Sequence, residues 1–205
     1  MTDLFGTESP ALYPTLDNPT PADEVARLTG PERVQRVTRL MIGSEQILTD
    51  ALGAHLDGHR VAGTCVLFSG GNDSTILAHL FRDRATHAIH ANTTIGIEQT
   101  RQFVRDTCQH WGLPLLEEVA PVSYRELVLE RGFPGPGMHW KMYQRLKERG
   151  LRQARRKLVA DNRKERVVFL AGRRRQESAA RTSHSMNVTA QSSGSRRSRC
   201  GRSWT

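Results

Sequence analysis

A short polar segment, SGGNDST, occupies residues 69–75 between an apolar run and an amphipathic stretch. Its two glycines permit backbone angles, and a close approach to a ligand, that a Cβ atom would prevent. The N–H groups of such a turn and the start of the following helix together form an anion site, to which hydroxyl side chains add donors. The predicted phosphate-binding residues are Ser69, Gly70, Gly71, Asn72, Asp73, Ser74 and Thr75.

The acid in this segment needs a separate explanation, because a carboxylate that faced a phosphate directly would repel it. We expect Asp73 either to accept hydrogen bonds from nearby backbone N–H groups or to hold a Mg²⁺ ion that bridges to the phosphates. The segment matches neither GxxxxGK[ST] nor GxGxxG. The alternative is a tight strand-to-helix turn without a ligand, but the whole heptapeptide in this setting favours nucleotide or pyrophosphate binding.

Alternating strand and helix patterns position this segment. Apolar runs predict strands at residues 61–68, 87–93, 113–120 and 166–172. Periodic stretches predict helices at residues 74–84, 96–111, 123–131, 139–161 and 176–183, the first with Ile76, Leu77, Leu80 and Phe81 facing inward. We expect the long helix to be broken near Gly150. This order predicts an α/β fold, in which a mostly parallel twisted sheet has helices on both faces.

Composition divides the chain into four parts. Residues 1–22 carry four prolines and are expected to form a disordered arm, and residues 23–59 have the period of a helical preface that packs on the main domain. Residues 60–185 form the nucleotide-binding α/β domain. Residues 186–205 are rich in Ser, Arg and Gly, which predicts a disordered basic tail or an end that is truncated or out of frame.

Three further features bound the class of protein. No apolar run has transmembrane length, and the N-terminus lacks the basic and apolar regions of a secretory signal. The three cysteines are far apart, which suits separate thiols in a reducing compartment and predicts a cytoplasmic protein without a membrane partner.

Charge is distributed unevenly along the chain. Residues 1–140 hold 11 Lys and Arg against 17 Asp and Glu, whereas residues 141–205 hold 19 against 4. A basic half of this kind suits nucleic acid or a multiply phosphorylated nucleotide. A solvated helix face followed by a tail explains the charge equally well. The oligomeric state is left open.

Three segments resemble one family. SGGNDS resembles the SGGxDS pyrophosphate loop of the N-type ATP pyrophosphatase superfamily, which includes the phosphoadenosine phosphosulfate (PAPS) reductases. HANTTIGIEQTRQF (90–103) and GRRRQESAAR (172–181) are similar to two further segments of the PAPS reductase-like branch. The resemblance implies an adenine nucleotide alpha hydrolase-like fold and a ligand that is ATP or a PAPS-type adenine nucleotide. The site residues it implies beyond the loop are Asn92, Thr93, Gly96, Glu98, Gly172, Arg174, Ser178 and Arg181.

The resemblance also implies roles for some of these residues. Asn92 and Thr93 would line the nucleoside side, and the guanidinium groups of Arg174 and Arg181 would bind phosphate or sulfate. Residues 132–147 would form a lid on the substrate side, to which His139 and Lys141 add positive charge; packing and surface roles explain these last two equally well.

The chain departs from the family pattern at two places. Asn72 replaces the lysine that is usual at that place of the loop. Cys200 lacks the Glu and His of the reductases' E-C-G-x-H segment, and Cys65 and Cys108 fit core thiols. The paired cysteines of relatives with an iron–sulfur cluster are missing, so we expect no such cluster and assign no catalytic residue.

These observations leave three hypotheses about function. The first is an adenine-nucleotide-binding enzyme of sulfur or adenylyl transfer, an oxidoreductase, transferase or ATP pyrophosphatase. The second is a component of nucleic-acid sulfur modification that uses ATP. The third is a nucleotide-binding module without catalysis.

Overall fold

The computed structural model describes residues 22–172, which contain six helices and four strands. The strands are β1 (Arg60–Leu67), β2 (His87–Asn92), β3 (Leu115–Val119) and β4 (Glu165–Leu170). The helices are α1 (Ala22–Arg27), α2 (Gly30–His55), α3 (Asn72–Phe81), α4 (Glu98–Trp111), α5 (Tyr124–Arg131) and α6 (Pro136–Leu158). The predicted tail and the predicted helix at residues 176–183 lie outside the described residues, as do residues 1–21 of the predicted arm.

The four strands form one sheet in the order β3-β2-β1-β4, and every neighbouring pair is parallel. The chain moves outward from β1 through β2 to β3 and then returns to the other side of β1 as β4. The strand order therefore reverses between β1 and β4, and open sheets of this kind bind their ligands at the carboxyl ends of the strands beside such a reversal. The predicted α/β fold with a parallel sheet is confirmed.

Helices cover both faces of the sheet, because every strand carries apolar side chains on both of its sides. Val66 and Phe68 belong to a core shared with α2, α3 and α4. Cys65 and Ile89 point to the other face and pack against Ala154 and its apolar neighbours on α6. The predicted two-sided arrangement is also confirmed.

The long helix α6 is continuous, so the predicted break near Gly150 is wrong. A Cβ atom at Gly150 would lie 3.2 Å from Cβ of Ala91 and 3.3 Å from the carbonyl oxygen of Glu118. Glycine is therefore present because the helix passes close over β2 and β3, and packing against the sheet outweighs the low helix propensity of glycine.

Two local signals in the sequence define helix ends as expected. The Ser123 hydroxyl accepts a hydrogen bond from the N–H of Glu126 at 3.1 Å, which confirms the predicted start of α5. Gly112 adopts the left-handed conformation, with φ of 64°, and ends α4.

One predicted core position in α3 is wrong. Ile76 is 59% exposed, whereas Ala78 and Phe81 are buried. The buried face of α3 follows Ser74, Ala78 and Phe81, and Ile76 lies about 200° around the helix from Ser74, at 100° per residue.

The helical preface contacts the main domain through the second half of α2. Leu48 is buried in the core that contains Phe81, and Glu45 pairs with Arg84 at 3.2 Å. The first half of α2 leaves Val34 and Ile42 exposed. Across residues 22–172, no helix combines the length and the apolar character that a membrane span requires.

Candidate functional site

The predicted site segments meet at the carboxyl edge of the sheet. The loop of residues 69–71 follows β1, residues 93–97 follow β2, and residues 171–172 follow β4. Since all strands are parallel, these three segments lie at the same edge. The first and third follow the neighbouring strands β1 and β4.

Two hydrogen bonds from β2 fix the start of the 69–71 loop. The N–H of Phe68 donates to the carbonyl of Ile89 at 2.9 Å. The carbonyl of Phe68 accepts from Nδ1 of His90 at 2.9 Å, so this ring nitrogen carries the hydrogen. His90 is 8% exposed and was not singled out from the sequence. A histidine directly after the apolar Ala88 and Ile89, in the middle of a predicted strand, is the signal that could have identified it.

Gly70 packs the loop tightly against the first turn of α4. Its φ is +83°, and a Cβ atom there would lie 2.6 Å from Cγ2 of Thr100 and 3.4 Å from the Thr100 carbonyl oxygen. Both the backbone angle and the space therefore require glycine. The contact joins the SGGNDST segment to the segment at residues 90–103.

The hydroxyl groups of the loop hold one another in place. The buried Ser74 hydroxyl donates to the carbonyl of Gly71 at 2.8 Å, accepts from the N–H of Ser69 at 3.2 Å and lies 3.0 Å from Oγ of Ser69. The Thr75 hydroxyl donates to the same Gly71 carbonyl at 3.0 Å. Ser74 and Thr75 therefore shape the turn, while Ser69 and Asn72 are exposed at its surface.

Gly172 brings the third segment against the loop. A Cβ atom at Gly172 would lie 2.9 Å from the carbonyl oxygen of Asp73 and 3.2 Å from its carbonyl carbon. The chain leaving β4 thus packs on the first turn of α3. The other predicted residues of this segment lie outside the described part of the chain: Arg174, Ser178 and Arg181. The position of Gly172 shows where the segment starts.

Asn92 holds the turn after β2. The side chain is 7% exposed; its Nδ2 donates to Oε1 of Glu117 at 3.0 Å, and its Oδ1 accepts from the N–H of Thr94 at 2.9 Å. Thr93, the next predicted residue, is 6% exposed. Both atoms of the Asn92 amide therefore have partners within the protein.

Thr94, which sequence reasoning missed, adopts a backbone conformation that β-branched residues rarely adopt, with φ of +68°. Its hydroxyl donates to the Thr93 carbonyl at 2.6 Å and accepts from the N–H of Tyr124 at 3.0 Å, at the start of α5. These bonds tie the turn after β2 to α5. Strained backbone of this kind concentrates at ligand-binding sites, and no sequence pattern announces it at a threonine.

A charged network supports the same turn. Arg105 on α4 donates from Nε and Nη2 to the two carboxylate oxygens of Glu117, at 2.8 and 3.0 Å, and from Nη1 to Glu98 at 3.2 Å. Glu98 also pairs with Arg101. The hydrogen bonds from Arg105 hold the pKa of Glu117 below its usual value and raise the pKa of Arg105. An acid on a half-buried strand, Glu117 in LLEEV, is the signal that could have identified the network.

The Glu117 network predicts a pH effect on stability. Because the folded-state pKa of Glu117 lies below the unfolded value of about 4.5, the network stabilises the protein above that pH, and the contribution is lost as pH falls through the folded pKa. We expect the melting temperature of Glu117→Gln to lie below that of the wild type at neutral pH, with the gap closing as the pH falls below the unfolded pKa. Glu130→Gln, at an exposed carboxylate on α5, is the control. A gap that stays constant with pH would contradict this account.

The remaining predicted residues within the described part of the chain are exposed at the protein surface. Gly96 and Glu98 are exposed, and a Cβ atom at Gly96 would meet nothing within 4 Å. Lys141 is exposed in the first turns of α6, and the side chain of His139 lies outside the described part of the structure.

The two described cysteines are buried. Burial raises the pKa of both Cys65 and Cys108 to about 11, so neither is a thiolate at neutral pH. Cys200 lies outside the described residues.

Asp73 remains the predicted Mg²⁺ ligand. Between residues 22 and 172, no group of three or more His, Cys, Asp or Glu side chains could form a protein cage for a metal. Mg²⁺ does not need such a cage, since it is commonly bound by one or two carboxylates, water and substrate phosphates. The half-buried Asp73, in the first turn of α3, offers one carboxylate beside the predicted phosphate loop.

An open cavity of about 590 Å³ lies at the opposite, amino-terminal edge of the sheet. Its lining residues are Asp57, Gly58, His59, Arg60, Asp161, Arg163 and Lys164. None of the predicted site residues lines it, and the family-like segments converge at the other edge. We therefore place the candidate site at the carboxyl edge.

A family model described as the phosphoadenosine phosphosulfate reductase domain matches residues 63–196. The matched range includes the loop at residues 69–75 and the segments at residues 90–103 and 172–181. A search of curated proteins found no similar sequence.

Proposed function

Because the chain belongs to the phosphoadenosine phosphosulfate reductase domain family, we propose that it binds an adenine nucleotide at the carboxyl edge of its sheet and uses it in sulfur or adenylyl transfer. One observation carries the proposal: the three family-like segments touch, Gly70 against Thr100 and Gly172 against Asp73. Asp73 and Gly172, which are 99 positions apart in sequence, thereby lie side by side.

In this proposal the loop of residues 69–75 binds the phosphate or pyrophosphate part of the nucleotide. The backbone N–H groups at the start of α3 and the exposed Ser69 hydroxyl are the donors. Asn72 adds a neutral amide where a lysine would add a cation, so the remaining positive charge has to come from elsewhere. Asp73 would hold a Mg²⁺ ion that comes with the nucleotide, and such an ion would neutralise part of the phosphate charge.

The nucleoside lies over the turn after β2 in this proposal. Asn92 positions that turn through its bonds to Glu117 and Thr94. Thr93 and Gly96, in the same turn, are the further residues proposed to line the nucleoside. Arg174 and Arg181, together with Gly172 and Ser178, complete the site from the segment after β4 by binding phosphate or sulfate oxygens. Lys141 and His139, both in α6, are the proposed sources of positive charge on the substrate side.

Two reactions fit such a site. With ATP, attack on the α-phosphate breaks the bond to the β-phosphate, so that the acceptor receives AMP and pyrophosphate leaves. With PAPS, an external dithiol supplies two electrons; sulfite and adenosine 3′,5′-bisphosphate leave, and a disulfide forms. The high pKa values of Cys65 and Cys108 argue against either as the nucleophile.

Calorimetry with ATP, PAPS and AMP tests the binding step. We expect Mg²⁺-dependent binding of at least one of these nucleotides, weakened by about tenfold or more in Asp73→Ala, the loss of one charged contact. Asp83→Ala removes an exposed carboxylate just after α3 and is expected to bind as the wild type does. Failure of all three nucleotides to bind would refute the proposal.

Product release separates catalysis from binding alone. Pyrophosphate released from ATP, or sulfite released from PAPS in the presence of a dithiol, would exclude a module without chemistry. Binding without either product over long incubation, with acceptor candidates present, would favour the module.

A further inference from the structure

A row of five basic side chains runs along the outer side of α6. Its members are Lys141, Arg145, Arg149, Arg152 and Arg156, and all five are exposed. Their spacing of three or four residues places them on one side of the helix. The opposite side, with the buried residues Leu146, Gly150 and Ala154, packs on α5 and the sheet. We call these five residues the α6 basic row.

The acids of α6 itself are too few to neutralise the α6 basic row. Like charges three or four residues apart on a helix repel one another. The only acid in the sequence of α6 is Glu148, which accepts a hydrogen bond from Gln144 and lies 3.6 Å from Arg152. At 1.5 Å per residue, the row is about 22 Å long. A linear polyanion along the helix would relieve this repulsion.

We propose that the α6 basic row binds the phosphodiester backbone of a nucleic acid. Four of its five members are arginines, whose guanidinium groups match phosphate oxygens in pairs. A membrane surface fits less well, because an amphipathic helix binds a membrane through its apolar face, and that face of α6 already packs on the sheet.

The position of α6 extends the surface and relates it to the candidate site. The helix starts on the carboxyl side of the sheet, after β3 and α5, and ends beside the amino end of β4. Exposed Arg163 and Lys164 follow it there, close to Arg60 at the start of β1. A bound strand would lie along the domain, with one end near the edge where we place the nucleotide. The inference does not depend on nucleotide binding, because the row lies on an outer helix surface.

Fluorescence anisotropy with the full chain tests the proposal on labelled duplex DNA, duplex RNA and single strands across a salt series. We expect the logarithm of the association constant to fall linearly with the logarithm of the salt concentration. The triple variant Arg145→Gln, Arg149→Gln, Arg156→Gln should bind at least about tenfold more weakly. It should also reduce the magnitude of the salt slope by about 2 to 3. The nucleic acid whose binding depends most on the row identifies the class of ligand.

The matched control removes the same charge from the other face of the sheet. Arg27→Gln, Arg39→Gln, Arg84→Gln changes exposed arginines of α1, α2 and the turn after α3, and should leave the slope nearly unchanged. A triple Arg→Lys variant of the row should keep most of the binding, which separates loss of charge from loss of folding. Equal effects of the two Gln triples, or no binding to any nucleic acid at low salt, would overturn the proposal. So would row-dependent binding to anionic lipid vesicles only.

Discussion

Gly70→Ala is expected to destabilise the protein by about 2–4 kcal/mol and to abolish nucleotide binding. The left-handed backbone at φ of +83° disfavours any Cβ atom, and the new methyl group would lie 2.6 Å from Cγ2 of Thr100. The loop and the start of α4 would have to separate. Chemical denaturation measures the stability loss, and calorimetry at a temperature where the variant is folded measures binding.

The adjacent glycine supplies the control for this prediction. Gly71 has φ of −81°, and the nearest atom to a Cβ there is Oγ of Ser69 at 3.8 Å. Gly71→Ala should therefore change stability by less than about 1 kcal/mol. Equal stability losses in the two variants would show that the loop does not have the conformation on which the proposed site rests.

Gly172→Ala is expected to weaken nucleotide binding by more than about tenfold and to destabilise the protein by about 1–3 kcal/mol. Its Cβ atom would lie 2.9 Å from the carbonyl oxygen of Asp73, which is backbone and cannot rotate away. Either the first turn of α3 or the chain after β4 must move, and both border the proposed phosphate site. Calorimetry and thermal denaturation of the same preparation separate the two effects.

Gly135→Ala is the control for Gly172→Ala. Gly135 precedes α6 with φ of −62°, and a Cβ there would meet nothing within 4 Å. The Gly135→Ala variant should bind the nucleotide as the wild type does. Unchanged affinity in Gly172→Ala would mean that the segment after β4 does not border the ligand.

Much of the fold was predictable because local patterns and packing agree. The strands are short apolar runs bounded by turn residues, and Ser123 and Gly112 define helix ends through interactions within a few residues. Gly150 and Ile76 show where this reasoning fails. The break expected at Gly150 ignored the approach of α6 to Ala91, and Ile76 is apolar but lies on the outer side of α3.

The candidate site was predictable at the level of segments and less so at the level of atoms. The SGGNDST pattern located the loop, but not that Ser74 and Thr75 donate their hydroxyl hydrogens to Gly71. The bonds from Arg105 to Glu117 and from His90 to Phe68 join different elements. Such contacts follow from tertiary packing, and no spacing in the sequence encodes them.

The central claim is that an adenine nucleotide binds where the three family-like segments meet. Its most direct test is a titration of the isotope-labelled protein with ATP or PAPS, followed through the backbone amide resonances. We predict shifts concentrated at residues 69–75, 92–100 and 172. Shifts concentrated instead around residues 57–60 and 161–164, at the opposite edge of the sheet, would contradict the claim.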